Sequence, residues 1–182
     1  MLLATTDTLT GLLRRAPFCD RLAEWFLEDR ELAVLLVDLD RFKSINDEFG
    51  HRGGDQALKT AADALLRATT GLRDVTVARW GGEEFVVAAP DLDLAGGLEL
   101  GRSIARSLRE TRLRVNGRRV PITGSIGVSV REAADNPEGL VDRSDQGMYA
   151  AKAAGRDCVC AAPARVEDAP SPPPLPGVEA GA

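Results

Sequence analysis

The sequence contains little cysteine or histidine, and neither has a regular spacing. Its three cysteines are Cys19, Cys158 and Cys160, and His51 is its one histidine. An odd number of cysteines without framework spacing argues against a disulfide-stabilised secreted domain and favours reduced thiols in the cytoplasm. Because Cys158 and Cys160 lack a second pair of ligands, a structural zinc site is also disfavoured. For His51, which follows a glycine, we expect a capping or loop role.

Long apolar runs and an excess of basic residues are also missing. No apolar stretch approaches the roughly 20 residues that span a bilayer, and the first residues lack the basic flank of a signal peptide. We therefore expect no membrane association. The net charge of -5 argues against binding nucleic acid, because phosphate backbones attract basic faces. An anionic substrate would need a metal ion or a local cluster of cations.

The chain is long enough for one domain, and 44% of its residues are hydrophobic, which is sufficient for a sizeable core. We expect a short lead over residues 1–6 and one folded domain over residues 7–161. From residue 162 the composition changes to proline, alanine, glycine and acidic residues. Such a segment cannot bury enough apolar surface to offset its ordering entropy, so residues 162–182 are predicted to form a disordered tail.

Hydrophobic periodicity within the domain predicts alternating strands and helices, and hence an α+β fold with helices packed over a sheet. The predicted elements are a helix around Phe18–Phe26, a buried strand Leu32–Val37, helices Arg41–Phe49 and Gly53–Ala68 separated at Gly50 and Gly53-Gly54, a hairpin of Val75–Trp80 and Phe85–Ala89, a helix Leu94–Thr111, a second hairpin in which Asn116-Gly117 joins Leu113–Val115 to Val120–Val130, a last helix ending at Gly155, and a strand Cys158–Cys160.

Two groups of acidic residues follow or interrupt predicted strands. Asp38 and Asp40 come directly after the buried strand, and their spacing places both on one face of an extended chain. Glu83 and Glu84 follow the two glycines of the first hairpin. If the two strands are neighbours, Asp38 and Glu83 can meet at one end of the sheet and hold Mg²⁺, which prefers hard oxygen ligands completed by substrate phosphates. The alternative, solvated turn acids, fits this combination less well.

A third pattern is a possible cationic face on the last helix. Asp145, Tyr149, Lys152 and Arg156 recur every three or four residues, which predicts that they share one face. Such a stripe is often only a solvated surface. In a chain of negative net charge, however, a focused cationic cluster favours phosphate binding.

Five segments, in order, resemble the motifs of the GGDEF family of diguanylate cyclases, and the match covers about Asp7 to Val159. The segments are Asp7–Leu12, Val37–His51, Arg79–Phe85 with the Gly-Gly-Glu-Glu-Phe form of the signature, Ser125–Ser129 and Asp145–Arg156. The resemblance implies a central, mainly antiparallel sheet flanked by helices, similar to adenylate cyclase catalytic cores and polymerase palms.

The same resemblance implies an activity, a cofactor and partners. Two antiparallel protomers would each hold one GTP, and each ribose 3′-hydroxyl would attack the α-phosphate of the other GTP, giving cyclic di-GMP and two pyrophosphates. Mg²⁺, or Mn²⁺ in its place, would be bound by Asp38, Glu83 and the Leu39 carbonyl. Glu83 or Glu84 would accept the proton.

The remaining implied roles concern the substrate. Phosphate-binding cations would be Lys43, Lys152 and Arg156. The guanine would be read by Asn46 and Asp55, with Phe42 in the same substrate-binding segment. An ionised aspartate only accepts hydrogen bonds, so Asp55 suits the donor edge of guanine and not adenine.

The sequence departs from the family pattern in two places. Many relatives carry a product-binding Arg-x-x-Asp where this chain has Leu72 and Val75, so we expect no feedback inhibition through that site. Arg14-Arg15-Ala16 replaces the usual Asn-Arg-Arg.

Only six residues precede Asp7, and we expect a weak or transient homodimer and regulation by an upstream protein or domain. The alternative function is a catalytically weak module that binds GTP or a protein partner; the retained acids favour the enzyme.

Overall fold

The computed structural model describes residues 5–163, so that all but the first two residues of the predicted tail lie outside the described part. The helices are Arg15–Leu27 (α1), Phe42–Ala68 (α2), Leu94–Arg109 (α3) and Pro137–Ala153 (α4); the strands are Leu13–Arg14 (β1), Leu32–Leu39 (β2), Thr76–Gly81 (β3), Glu84–Pro90 (β4), Arg114–Val115 (β5), Arg118–Arg119 (β6), Gly124–Val130 (β7) and Val159–Ala161 (β8). None of the helices in residues 5–163 is long and apolar enough to cross a membrane.

The described residues form a six-stranded sheet in the order β1-β3-β4-β2-β7-β8 and a separate two-stranded ribbon of β5 and β6. Strand β2 lies inside the sheet and pairs antiparallel with both β4 and β7. The edge pairs β1–β3 and β7–β8 are parallel. The predicted α+β fold with a mainly antiparallel sheet is therefore confirmed.

Strand β2 is buried on both faces because helices cover both sides of the sheet. Ala33, Leu35 and Val37 belong to the core that includes α2 and α3 residues. The alternate residues Leu32 and Leu36 belong to the core that includes α1 and α4. Since side chains alternate along a strand, Asp38 continues the α1/α4 face at the end of β2.

The predicted break at Gly50 is confirmed, and the predicted break at Gly53 and Gly54 is wrong. Gly50 has φ 71 and ψ 175, which kinks α2. Gly53 and Gly54 are helical and buried against the turn before the kink. A Cβ on Gly53 would lie 2.4 Å from Phe49 Cβ, and one on Gly54 would lie 2.0 Å from Asn46 Oδ1. These glycines therefore allow close packing and do not end the helix.

The second predicted hairpin is shorter than expected. Asn116 and Gly117 form its turn with φ 51 and 79, as an Asn-Gly turn requires. The returning strand, however, ends at Arg119, and Pro121 has no N–H with which to continue the ladder. Strand β7 begins only at Gly124 and pairs with β2 in the main sheet.

Candidate active site

The end of β2 brings the first predicted acidic group next to the second. Asp38 is in register with Glu84 of β4 and with Ser125 of β7. The Leu39 N–H donates to the Glu83 carbonyl at 3.3 Å. The hairpin thus lies beside β2, which was the condition for a shared site, and Asp38, Glu83 and Glu84 lie at the same end of the sheet.

Arg79 fixes the turn that carries Glu83. Its Nε and Nη2 donate to the Gly82 carbonyl at 3.0 and 2.7 Å, and its Nη1 lies 3.2 Å from Asp7 Oδ1. Asp7 also accepts hydrogen bonds from the Thr10 amide at 2.9 Å and hydroxyl at 2.7 Å. The entry segment is therefore tied to the signature turn through one guanidinium, a link that sequence reasoning missed.

The carboxylates at this end of the sheet lie close enough to repel one another. Burial raises the pKa of Asp38, and the charges of Glu83 and Asp40 add to this rise, although Lys152 Nζ lies 2.9 Å from Asp38 Oδ2. Burial also raises the pKa of Glu84, with a further contribution from Asp38. A cation placed among these carboxylates would relieve the repulsion.

The acidic cluster contains few oxygen ligands, which suits a magnesium ion that takes its remaining ligands from water and substrate. Within residues 5–163, no group of three or more His, Cys, Asp or Glu side chains is arranged to hold a metal. The candidate ligands are instead Asp38, Glu83 and the Leu39 carbonyl. Mg²⁺ typically binds through one or two carboxylates and leaves other positions to water and substrate phosphates, so this small set is sufficient.

Asp40 does not share the surroundings of Asp38. Its carboxylate accepts hydrogen bonds from the Thr123 hydroxyl at 2.7 Å, the Ser125 hydroxyl at 2.7 Å and the Asp157 N–H at 3.0 Å. These bonds join the end of β2 to β7 and to the loop after α4. Asp40 is therefore an anchoring residue, and the Asp-x-Asp spacing alone could not distinguish the two acids.

The predicted common face of the last helix is wrong for one of its members. Asp145, Tyr149 and Lys152 lie on α4, but the helix ends at Ala153. Gly155 has φ 113 and Arg156 has φ 68, so the chain has left the helical path before Arg156. The predicted helix end at Gly155 is therefore two residues too late, and the helical spacing does not continue to Arg156.

Arg156 lies instead beside the beginning of α2. It is exposed and lines a cavity of about 540 Å³ together with Asp40, Arg41 and Ser44. Arg41, which precedes α2, has φ 55 and provides no side-chain cap, and the first turn contains no acidic residue. The Ser44 amide already donates to the Arg41 carbonyl at 2.9 Å, so the N–H groups left for an anion are those of Phe42 and the exposed Lys43.

The residues predicted to read guanine lie on the two sides of the α2 kink. Gly54 is so close to Asn46 that a Cβ would overlap Asn46 Oδ1, and it would lie 3.1 Å from Phe42 Cζ. Asp55 follows Gly54 and is exposed. The structure thus brings Phe42 and Asn46 to the segment that carries Asp55.

Comparison with known proteins identifies the family to which the chain belongs. The family described as "Diguanylate cyclase, GGDEF domain" matches residues 4–158. Diguanylate cyclase DgcP of Pseudomonas aeruginosa is 38% identical over 159 residues, which cover 85% of this chain and 23% of DgcP. Response regulator PleD of Caulobacter vibrioides is 41% identical over 165 residues, which cover 86% of this chain and 36% of PleD. The chain thus spans well under half the length of these relatives.

Solved structures give the same assignment at the level of the fold. The GGDEF domain of DgcB from Caulobacter crescentus, solved in complex with c-di-GMP, is similar to this chain with a TM-score of 0.82 and 30% sequence identity. The similarity covers 89% of this chain and 98% of that domain. Since the family match includes most of the chain and all the acidic residues described above, this protein belongs to the GGDEF-domain diguanylate cyclase family.

Proposed function

We propose that this chain is a diguanylate cyclase that condenses two GTP molecules into cyclic di-GMP and two pyrophosphates. The observation that carries the proposal is the meeting of Asp38, Glu83 and Glu84 at one end of the sheet, with Lys152 Nζ 2.9 Å from Asp38. Phosphoryl-type transfer depends mainly on positioning and on neutralising charge. A half-buried acidic cluster beside a lysine suits that chemistry.

The acidic cluster would hold the metal. Asp38, Glu83 and the Leu39 carbonyl would bind Mg²⁺, or Mn²⁺ in its place. When bound, the ion supplies positive charge that neutralises the triphosphate. Glu83 and Glu84 are the two candidates for accepting the proton of the ribose 3′-hydroxyl. Burial raises the pKa of Glu84, and a raised pKa makes a carboxylate a better base near neutral pH.

Binding of GTP would use residues on α2 and after α4. Lys43, Lys152 and Arg156 would bind the phosphates together with the open N–H groups at the start of α2. Asn46 and Asp55 would bind the guanine, with Phe42 beside them. An exposed carboxylate at Asp55 would accept from the N1–H and 2-amino donors of guanine, whereas adenine would offer it a lone pair.

The reaction would require two copies of the chain. A protomer with one GTP site can supply only one of the two nucleotides, so the second must come from an antiparallel partner. We propose a weak homodimer, whose specific activity rises with protein concentration. An upstream protein or domain would then regulate activity by bringing two copies together.

The test is incubation with GTP and Mg²⁺, followed by chromatography and mass spectrometry of the product. The matched control is D38A/E83A, which removes both side-chain metal ligands. We expect cyclic di-GMP from the unmodified chain and none from the variant. Binding of GTP without turnover by the folded chain, across a range of protein concentrations, would contradict the proposal and support a binding module.

A further inference from the structure

A second cationic region lies at the end of α3 and on the β5–β6 ribbon, and the proposed function uses none of its residues. A cavity of about 760 Å³ there is lined by Arg109, Arg112, Arg114, Arg119 and Glu110. We call these five residues the arginine groove. A neighbouring cavity of about 510 Å³ is also lined by Arg112 and Arg114. Four arginines and one glutamate thus line one cavity in a chain whose net charge is -5.

Interaction with the helix dipole accounts for only one of these four arginines. Arg109 lies in the last turn of α3, where a cation interacts favourably with the helix dipole. Arg114 and Arg119 are on the ribbon and are directly opposite each other in register. Like charges at opposite positions of an antiparallel pair destabilise it. The buried Val115 and the ion pair between Arg118 and Glu48 hold the ribbon in place, and a bound anion would offset the repulsion between Arg114 and Arg119.

Two of the four guanidinium groups of the groove are already engaged. Arg109 donates from Nε to Asp157 Oδ1 and from Nη2 to the Asp157 carbonyl, both at 2.8 Å, and Arg114 Nη1 donates to the Gly117 carbonyl at 3.1 Å. Arg112 and Arg119 are exposed, and within the described part of the chain neither has an ion pair or a side-chain hydrogen bond. Several donors therefore point to solvent without a protein acceptor.

We propose that the arginine groove is a binding site for a small multivalent phosphate anion of the triphosphate class. Planar guanidinium groups bind phosphate oxygens in pairs, and a cavity of this volume falls within the usual range for small ligands. The negative net charge makes a long polyanion such as nucleic acid a poor fit. The ligand class follows from the local charge and the size of the cavity.

The groove borders the predicted substrate site, and this determines the design of the experiment. Arg119 also lines the cavity that contains Arg156, and Arg109 holds Asp157, the residue after Arg156. Replacing Arg109 or Arg119 would therefore disturb both places. Arg112 and Arg114 line only the arginine groove and its neighbouring cavity, so they are the residues to replace.

The experiment is calorimetric titration with sodium tripolyphosphate in the absence of divalent ions. All proteins carry K152A/R156A, which weakens anion binding at the substrate site. To this background are added R112A/R114A or, as a matched control, R21A/R102A. The side chains of Arg21 and Arg102 are 42% and 56% exposed, and each is paired with a glutamate three residues away on its own helix. Circular dichroism verifies that each variant is folded.

We expect the background protein to bind tripolyphosphate, R112A/R114A to weaken this binding by about ten-fold or more, and R21A/R102A to leave it unchanged. Loss of all binding in the background protein, or equal weakening by the control pair, would overturn the proposal. If a variant does not fold, NMR spectroscopy of the unmodified chain tests the same site. In that spectrum, tripolyphosphate should shift the amide signals of residues 112–114, which line the groove side only, and an unchanged spectrum there would refute the site.

Discussion

Lys152 Nζ lies 2.9 Å from Asp38 Oδ2, so a lysine assigned to phosphate binding neutralises an aspartate assigned to the metal. Only 14% of the Asp38 side chain is exposed, which strengthens the interaction relative to a surface pair. The two proposed roles of these residues are therefore coupled. A metal at Asp38 would release Lys152 for the phosphates of the substrate.

The first prediction follows from this competition between cations. In K152A we expect Mn²⁺ to bind about five-fold more tightly in the absence of nucleotide, because the competing cation is gone, and GTP to bind more weakly. Calorimetry with each ligand measures both effects, and K152R, which keeps the charge, is the control. Weaker Mn²⁺ binding in K152A would show that the lysine supports the metal site and does not compete with it.

The second prediction concerns the stability of the link between Asp7 and Arg79. Burial raises the pKa of Asp7, but hydrogen bonds from Thr10 and the nearby Arg79 guanidinium outweigh this effect, and the pKa lies below its ordinary value. A carboxylate whose pKa is lowered by folding stabilises the protein above its unfolded pKa of about 4. That contribution is lost as the pH falls through the folded-state pKa.

We therefore expect D7N to lower the free energy of unfolding by ~1–3 kcal/mol at neutral pH and by progressively less below about pH 4. Urea unfolding at several pH values measures the difference. The control is D63N, since Asp63 is exposed and forms no ion pair within residues 5–163. A pH-independent difference between the unmodified chain and D7N would contradict the assignment.

Sequence reasoning located the acidic residues because their strands have strong patterns. An apolar run before Asp38 and a glycine pair before Glu83 are local signals, whereas the pairing of β2 with β4 that brings these acids together is a tertiary contact that the sequence left as a condition. The spacing predicts Arg156 on the same face as Lys152, because periodicity cannot register a change of backbone conformation at Gly155. The role of Asp40 depends on Thr123, which is distant in sequence, so no local pattern could reveal it.

The third prediction tests the anchoring role of Asp40. One of its three hydrogen bonds, from the Asp157 N–H, holds the loop that contains Arg156, and the other two hold the start of β7, although Asp40 itself has no assigned contact with substrate. We expect D40A to destabilise the fold by about 2–3 kcal/mol or more and to weaken GTP binding as R156A does. The control T123A removes one of the three donors and should have a smaller effect on both. If D40A is destabilised but binds GTP as the unmodified chain does, Asp40 contributes to stability and not to GTP binding.

The fourth prediction uses the close approach of Gly54 to Asn46. In G54A the new Cβ would displace Asn46 Oδ1, which would otherwise lie 2.0 Å away, and so disturb a proposed guanine contact. We expect KM for GTP to rise by about ten-fold or more. The control is G96A in α3, where a Cβ would meet the flexible end of Leu92 at 3.1 Å. Equal KM values in the two variants would exclude Asn46 from guanine recognition.

The fifth prediction is the absence of product inhibition through the loop before β3. Leu72 and Val75 cannot bind phosphate or guanine, and Asp74 Oδ2 lies 3.3 Å from Arg30 Nη1. Arg73 alone offers too few contacts for a product with two phosphates and two guanines. We expect cyclic di-GMP at substrate concentrations to leave the initial rate unchanged, and L72R/V75D, which restores the Arg-x-x-Asp spacing, to become inhibited. Inhibition of the unmodified chain that R73A abolishes would show that the loop binds product despite its altered sequence.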